Sequence, residues 1–117
     1  MKISVILPAK NEAAGLRRTL PALARVLPEA EIIVVDDGST DETAEVAKAA
    51  GARVLSSPYS MGNGAAIKRG ARAAQGGVLV FMDADGQHDP EDIPDLLARL
   101  EAGFDMVVGA RDGSARA

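Results

Sequence analysis

The fold of this chain is indicated most clearly by Val78-Leu79-Val80-Phe81-Met82-Asp83-Ala84-Asp85-Gly86-Gln87-His88-Asp89-Pro90. The first five of these residues are continuously apolar, which is typical of a strand buried on both faces of a parallel sheet. An acidic loop follows at once. Asp89 then has the chemistry of a helix N-cap, and Pro90 suits the first helical position. The stretch therefore predicts a strand, a polar loop and a helix in direct succession.

The same succession recurs along the chain. Predicted strands cover residues 3–7, 31–35, 53–55, 78–82 and 104–109, and helical patterns lie between them. We expect Pro8 to stop the first strand and Pro21 to kink or split the first helix. Ser39 and Glu42 have capping-box spacing for a helix over 41–50, and Gly51 suits its C′ position. The order favours an α/β, Rossmann-like fold whose mainly parallel sheet carries helices on both faces.

Three polar segments directly follow predicted strands, at residues 8–12, 36–41 and 83–89. Parallel strands end at the same edge of a sheet, so these segments should converge although they are far apart in sequence. Open α/β sheets bind ligands beyond the carboxyl ends of their strands, near the point where the strand order reverses. The sequence therefore predicts a ligand site at this rim.

Composition narrows the classes of function. The 117 residues suffice for one domain with a core, and the net charge of −4 with three aromatic residues argues against nucleic-acid binding. There is no cysteine, so neither a disulfide framework nor a thiolate metal site is expected. No apolar run is long enough to cross a membrane, and the N-terminus lacks a signal-peptide pattern. A cytoplasmic location is the expectation.

The acidic loop is the strongest candidate for chemistry. In extended backbone, residues i and i+2 point the same way, so Asp83 and Asp85 are expected to face one side, and the same spacing extends to Gln87. Mg²⁺ and Mn²⁺ prefer such oxygen ligands, together with substrate phosphates. A divalent metal and an anionic, diphosphate-containing substrate are therefore predicted. The alternative is a solvated loop in which Asp89 only caps the next helix.

The other rim segments are less decisive. Asp36 and Asp37 suit either a nucleoside, through a base N–H or a ribose diol, or ordinary turn chemistry. The glycine-rich residues 62–70 open a helix whose amides suit a phosphate, although they match neither a P-loop nor GxGxxG. Lys68 on this helix is either a solvated charge or a ligand contact. Arg111 is placed to reach the rim and pair with a phosphate.

Four segments together resemble family 2 glycosyltransferases of the GT-A fold, and most closely the dolichol-phosphate mannosyltransferase-like branch. The resemblance runs from Met1 to about Arg111. No single segment is specific, but their order and spacing are. The matching segments are residues 5–12 (VILPAKNE), 32–41 (IIVVDDGSTD), 62–70 (GNGAAIKRG) and 83–88 (DADGQH).

The resemblance implies an inverting transfer from a nucleotide-diphosphate sugar, of the GDP-mannose or UDP-glucose type, to an acceptor such as polyprenyl or dolichyl phosphate. It implies Asp83 and Asp85 as catalytic residues, and Asp85 and Gln87 as ligands of Mg²⁺ or Mn²⁺. The implied nucleotide-sugar contacts are Pro8, Ala9, Glu12, Val35, Asp37, Lys68, Asp83, Ala84, Asp85 and Arg111. A lipid-phosphate acceptor also implies work at the cytoplasmic face of a membrane.

The chain departs from this family in its length. The resemblance implies catalytic domains about twice as long, so residues 1–111 correspond to the nucleotide-binding half and 112–117 to a frayed tail. One alternative is a non-catalytic nucleotide- or metal-binding module on the same fold. A phosphatase-like or phospho-acceptor domain with one reactive Asp is a more distant one. An exposed edge of the fifth strand leaves an oligomer possible.

Overall fold

The computed structural model describes residues 2–82 and the backbone of 106–109. In this part of the chain there are five strands and three helices. The strands form one sheet, all of whose neighbouring strands are parallel, in the order β3-β2-β1-β4-β5. The elements are β1 Ile3–Ala9, α1 Ala13–Val26, β2 Glu31–Asp37, α2 Thr43–Ala49, β3 Arg53–Ser57, α3 Asn63–Ala73, β4 Val78–Met82 and β5 Met106–Gly109. The α/β prediction is confirmed.

The strand order reverses between β1 and β4. The chain runs outward through β1, β2 and β3, returns through α3, and places β4 on the free side of β1. The gap between the carboxyl ends of β1 and β4 is the switch point at which such sheets bind ligands. Ala9 ends β1 and Met82 ends β4, and the acidic segment begins in the sequence directly after Met82.

Helices cover both faces of the sheet, as predicted. On one face, Leu16, Leu20 and Leu23 of α1 and Ala47 of α2 pack against Val5, Leu7, Val34 and Val80. These are alternate residues of their strands, as the period-two geometry of a strand requires. The leucine spacing recognised in the sequence is therefore the buried stripe of α1.

On the other face, α3 packs closely over β1 and β2. Its Ala66 belongs to a buried cluster with Ile6, Ile33, Val35 and Phe81. Gly70 faces the same strands, and a Cβ added there would lie 2.5 Å from Ile6 Cγ2 and 3.2 Å from Val35 Cγ2. The missing side chain therefore sets how near the helix approaches the sheet.

Three expectations about element boundaries were wrong, namely that Pro8 stops the first strand, that Pro21 splits the first helix, and that a capping box starts the second helix. The alternative expectation, a kink at Pro21, stays a prediction. Pro8 does not stop β1, which continues to Ala9 and pairs Pro8 with Val35. Its recorded pairing with β4 ends at Ile6↔Phe81, so the missing N–H of Pro8 interrupts no recorded contact with β4. Pro21 does not split α1. It lies on the exposed side, where water can bond the carbonyl that it leaves unpaired.

The third correction concerns the start of α2, where no capping box forms. The helix begins at Thr43, and its N-cap residue Glu42 makes no side-chain capping bond. Ser39 instead accepts a hydrogen bond from the amide of Asn11, in the loop after β1. Gly51 does follow the C-cap Ala50 in a left-handed conformation, with φ of +86°, as predicted.

None of the helices described within residues 2–82 has the length and apolar character needed to span a membrane. The predictions for Asp89 and Pro90, for the helix that they open, and for a tail at 112–117 lie outside the described residues. The domain bounds at 1–111 stay a prediction. β5 is an outer strand of the described sheet, and its pairing with another chain is likewise untested.

Candidate functional site

The loops after β1 and β2 are joined by one asparagine side chain. Asn11 Oδ1 accepts hydrogen bonds from Thr40 N at 2.8 Å, Asp41 N at 3.3 Å and Thr40 Oγ1 at 3.3 Å. The Asn11 amide donates to Ser39 Oγ at 2.9 Å. Asn11 itself has φ of +53°, a left-handed conformation that asparagine tolerates better than most residues. The residue therefore fixes the two rim loops relative to each other.

The start of α1 is tied to the start of α2. The amide of Glu12, the N-cap residue of α1, donates to Thr43 Oγ1 at 3.0 Å, and that of Ala13 donates to Asp41 Oδ2 at 3.4 Å. The Thr43 hydroxyl and amide both donate to Asp41 Oδ1. These bonds satisfy amide groups that a helix start leaves without intrahelical partners. The rim is thus a connected network rather than a set of independent loops.

Asp37, the last residue of β2, holds the loop that precedes α3. Its carboxylate accepts hydrogen bonds from Met61 N at 2.7 Å, Ser60 Oγ at 2.9 Å and Gly62 N at 3.1 Å. Among the residues that the structure describes, Asp36 by contrast accepts the amide of Ser39 alone, in its own turn, at 3.0 Å. Of the two aspartates weighed in the sequence, Asp36 has the turn role, and Asp37 connects two separate loops.

The electrostatics of this carboxylate follow from those bonds. Burial alone would raise the pKa of Asp37. The donors on Met61, Ser60 and Gly62 and the charge of Lys10 outweigh that effect and lower the pKa below its ordinary value. Asp37 is therefore a fixed negative charge at the rim at neutral pH. Such a charge would repel a phosphate, while contacts of Asp37 with a base or a sugar stay a prediction.

A glycine allows the two loops to touch. Gly38 has φ of +73°, and a Cβ added there would lie 2.5 Å from Ser60 N and 2.6 Å from Tyr59 C. Both partner atoms belong to the backbone, so no side-chain rotation could relieve the clash. Gly38 thus makes the Asp37 bonds possible, because it lets the 57–62 loop lie close enough to reach the carboxylate.

The structure places the predicted nucleotide contacts of β1 and β2 as follows. Pro8 is half-buried, Ala9 is 3% exposed and packs on the α1 face, and Glu12 is half-buried at the start of α1. Val35 is 1% exposed and packs under α3 beside Gly70. Pro8, Ala9, Glu12 and Asp37 therefore gather near the rim, while the Val35 side chain forms part of its floor. Their contacts with a nucleotide stay predictions.

Lys68 lies in a separate cleft on the α3 side. The cleft has a volume of about 190 Å³ and is lined by Asp37, Ser57, Met61, Ala65, Ala66, Lys68, Arg69 and Arg72. Arg69 Nη1 donates to Ser56 O and Ser57 Oγ, both at 2.8 Å, and so links α3 to the edge strand β3. Of the predicted contacts within residues 2–82, Asp37 lines this cleft together with Lys68.

The predicted catalytic and metal-binding residues Asp83, Ala84, Asp85, Gln87 and Arg111 lie outside the described residues. Within residues 2–82, no cluster of three His, Asp or Glu side chains is arranged to hold a metal. The carboxylate and amide oxygens of Asp85 and Gln87 suit Mg²⁺ or Mn²⁺. A metal held by Asp85 and Gln87 stays a prediction, because both residues lie outside the described part of the chain.

Sequence reasoning missed the residues that assemble the rim. Asn11, Thr43 and Ser60 were not singled out, yet each bonds a loop other than its own. The one local signal was an asparagine between a strand end and a helix start, where a left-handed residue is common. Bonds across 23 to 31 residues leave no pattern in a single sequence.

Comparison with known proteins agrees with the fold. A family model described as "Glycosyl transferase family 2" matches residues 4–116. An undecaprenyl-phosphate 4-deoxy-4-formamido-L-arabinose transferase of Pseudomonas fluorescens is 38% identical over 94% of this chain and 35% of its own length. A dolichol-phosphate mannosyltransferase of Pyrococcus furiosus is 38% identical over 95% and 33%. The chain therefore spans about a third of the length of these relatives.

A solved structure shows the same architecture. Glucosyl-3-phosphoglycerate synthase of Mycobacterium tuberculosis, in complex with Mn²⁺, UDP and glucosyl-3-phosphoglycerate, superposes with a TM-score of 0.73 at 37% identity. The match covers 85% of this chain and 39% of that one. The GT-A prediction is confirmed. On the family match, the sequence identities and the shared fold, the chain belongs to glycosyl transferase family 2.

Proposed function

We propose that this chain is the donor-binding half of a glycosyltransferase that moves a sugar from a nucleotide-diphosphate sugar to a polyprenyl phosphate, with inversion at the sugar. The observation that carries the proposal is the position of the acidic segment. Asp83 directly follows β4, and β4 borders β1 at the switch point where the loop of Pro8 to Glu12 also begins. In this proposal, the carboxylates that follow β4 in the sequence and the loop that follows β1 contribute to one site, where parallel α/β sheets bind nucleotides.

The described residues supply the nucleoside side of such a site. Asp37 is ionised and rigidly held, and it lies on the rim with Pro8 and Ala9. A fixed carboxylate suits the N–H groups of a base or the hydroxyls of a ribose rather than the diphosphate. The diphosphate therefore belongs further along the rim, toward β4, and the donor would lie across the switch point from β2 to β4.

Asp85 and Gln87 would hold Mg²⁺ or Mn²⁺, which would supply neutralisation of the diphosphate as it leaves. Arg111 would add a second positive charge near the same oxygens. In the transfer, an oxygen of the acceptor phosphate forms a bond to the anomeric carbon while the bond from that carbon to the diphosphate breaks. The acceptor oxygen is already ionised, so the step requires no general base. Attack opposite the leaving group inverts the anomeric centre.

The names of the relatives support this reaction class. Two relatives are named as transferases acting with undecaprenyl phosphate and dolichol phosphate, and the Mycobacterium tuberculosis enzyme was crystallised with Mn²⁺ and UDP. Those substrates are properties of the relatives. For this chain, the sugar, the base, the acceptor and the choice between Mg²⁺ and Mn²⁺ are parts of the proposal.

Calorimetric titration of GDP and of UDP, with and without Mn²⁺, tests the proposal. We expect one of the nucleotides to bind in the presence of Mn²⁺, and binding to weaken at least tenfold when the metal is removed or in Asp85→Asn. Glu45→Gln is the matched control, because it removes one carboxylate from the exposed surface of α2. Metal-independent binding that Asp85→Asn leaves unchanged would refute the metal role.

A second assay separates the enzyme from a non-catalytic binding module on the same fold. The chain is incubated with a nucleotide sugar, Mn²⁺ and a short polyprenyl phosphate, and the lipid product is followed by mass spectrometry. Sugar transfer would exclude the binding module. Nucleotide binding without transfer would favour it, because the chain spans only about a third of the relatives that carry transferase names.

A further inference from the structure

The helix α3 carries only positive charge. It contains Lys68, Arg69 and Arg72 and no Asp or Glu, although the whole chain has a net charge of −4. All three of these cations are exposed. α1 and α2 pack on the opposite face of the sheet, so their charges lie apart from those of α3. α3 is therefore a basic element in a chain that is acidic overall.

Two of the α3 cations are available for an external partner. Within the described part of the chain, neither Lys68 nor Arg72 has a recorded ion pair or hydrogen bond. Arg69 is committed through Nη1 to Ser56 O and Ser57 Oγ. Lys68 and Arg72 are four residues apart, so they project from the same side of the helix.

Exposed apolar groups adjoin these cations. Tyr59 is 66% and Met61 is 56% exposed, and they are the large hydrophobic side chains that stand out into solvent in residues 2–82. Met61 lines the same cleft as Lys68, Arg69 and Arg72. The backbone of this loop is fixed by Asp37 and Gly38, so the apolar groups are held outward. We call Tyr59, Met61, Lys68, Arg69 and Arg72 the α3 surface.

We propose that the α3 surface docks the protein on an anionic lipid bilayer. Basic side chains beside an aromatic and a methionine match the chemistry of a membrane interface, where cations meet anionic headgroups and amphipathic or apolar groups enter the boundary. The loop of Tyr59 and Met61 follows the carboxyl end of β3, at the same rim as Ala9 and Asp37. Docking there brings the rim toward the headgroups.

The inference rests on the proposed function, because a polyprenyl-phosphate acceptor resides in a membrane. The charge and the exposed apolar area from which it is argued do not depend on donor binding. Membrane docking and donor binding can therefore be refuted independently of each other. Vesicle binding is measured without nucleotide or metal, and nucleotide binding is measured without vesicles.

Co-sedimentation of the full chain with vesicles tests the proposal. One set contains only phosphatidylcholine, and the other contains equal parts of phosphatidylcholine and phosphatidylglycerol. We expect binding to the anionic set alone, weakened by salt as the charges are screened. Removing two cations at about 1 kcal/mol each, as in Lys68→Gln/Arg72→Gln, should weaken partitioning about 30-fold. Tyr59→Ser/Met61→Ser should weaken it about tenfold by removing apolar insertion.

Lys48→Gln/Arg25→Gln is the matched control, because it removes the same charge from α2 and α1 on the other face. It should bind the vesicles as the unaltered chain does. Circular dichroism verifies that every variant is folded. Equal loss in the control would show attraction without a defined surface and would overturn the proposal, as would no binding to anionic vesicles. It would also fail if Lys68→Gln/Arg72→Gln weakened nucleotide titration and left vesicle binding intact.

Discussion

At the scale of single residues, Asp37 decides how the rim is built. Its carboxylate receives three hydrogen bonds from the 60–62 loop, two of them from backbone amides. Bonds to a charged acceptor are worth more than neutral ones, and an amide that loses its partner inside a folded structure carries the cost of its desolvation. Asp37 therefore positions a loop in addition to any contact that it makes with a ligand.

Replacing Asp37 measures this positioning role. We expect Asp37→Ala to lower the free energy of unfolding by about 2–3 kcal/mol, because it leaves two amides and a hydroxyl without their acceptor. Hydrogen exchange of the Met61 and Gly62 amides should accelerate far more than that of amides in the middle of α1. The readout is exchange measured by NMR, together with urea denaturation.

Ser60→Ala is the graded control for this substitution. It removes one of the three donors and leaves both amide bonds in place, so a loss of about 1 kcal/mol is expected. If Asp37→Ala left the exchange of Met61 and Gly62 unchanged, the carboxylate would not hold this loop.

At the scale of elements, the sequence predicted more about the strands and helices than about their ends. The apolar strands and the leucine stripe of α1 were recognised because burial imposes a period that one sequence displays. Pro8 within β1 was missed because the effect of a proline depends on which neighbouring strand it faces. Ser39 was assigned to a helix cap that does not form. α2 begins only at Thr43, and the Ser39 hydroxyl oxygen accepts the Asn11 amide from another loop.

The packing of α3 on the sheet gives the second prediction. Alanine is favoured over glycine within a helix by about 1 kcal/mol. At Gly70, however, the new methyl would meet Ile6 Cγ2 at 2.5 Å and Val35 Cγ2 at 3.2 Å, inside a buried cluster. Overpacking of a core costs about 1–3 kcal/mol. We expect Gly70→Ala to destabilise the protein by about 1–2 kcal/mol in urea denaturation.

Gly64 provides the internal control for Gly70. It lies in the same helix, and a Cβ added there would meet nothing within 4 Å. Gly64→Ala should therefore be neutral or stabilise the protein by up to about 1 kcal/mol. Gains of similar size at both positions would show that α3 does not lie as close to Ile6 as the structure indicates.

At the scale of the whole molecule, the parallel strand order explains which features of the site could be predicted from the sequence. Segments following strands were expected to converge, and the parallel order β3-β2-β1-β4-β5 brings the loops of Asn11 and Asp41 into contact as expected. The sequence did not reveal that this rim is held together by Asn11, Asp37 and Thr43. The tertiary structure determines which groups these three residues bond, and local sequence propensities carry no information about such distant partners.

Both ends of the sheet are fastened through carboxylates. At the amino end, Glu31 Oε1 accepts hydrogen bonds from Ser4 Oγ at 2.7 Å and Gln75 N at 2.8 Å, and the Ser4 hydroxyl in turn accepts the Gly76 amide. Burial would raise the pKa of Glu31, but the donors on Gln75 and Ser4, with Lys2 and Arg53, lower it overall. At the rim, Asp37 has the same balance of causes.

Low pH should therefore weaken the hydrogen bonds that Glu31 and Asp37 accept at the two ends of the sheet, which gives the last prediction. A carboxylate whose pKa is lower in the folded than in the unfolded chain adds stability that is present above the unfolded pKa and is lost as pH falls through the folded pKa. The ordinary values are 3.8 for Asp37 and 4.5 for Glu31. Urea midpoints measured from pH 7 downward should fall as pH drops below these values.

Asp37→Asn should be less stable at pH 7 and should lose less stability on acidification, so its curve of stability against pH converges on that of the unaltered chain at low pH. Parallel curves would show that the Asp37 charge contributes nothing to the fold.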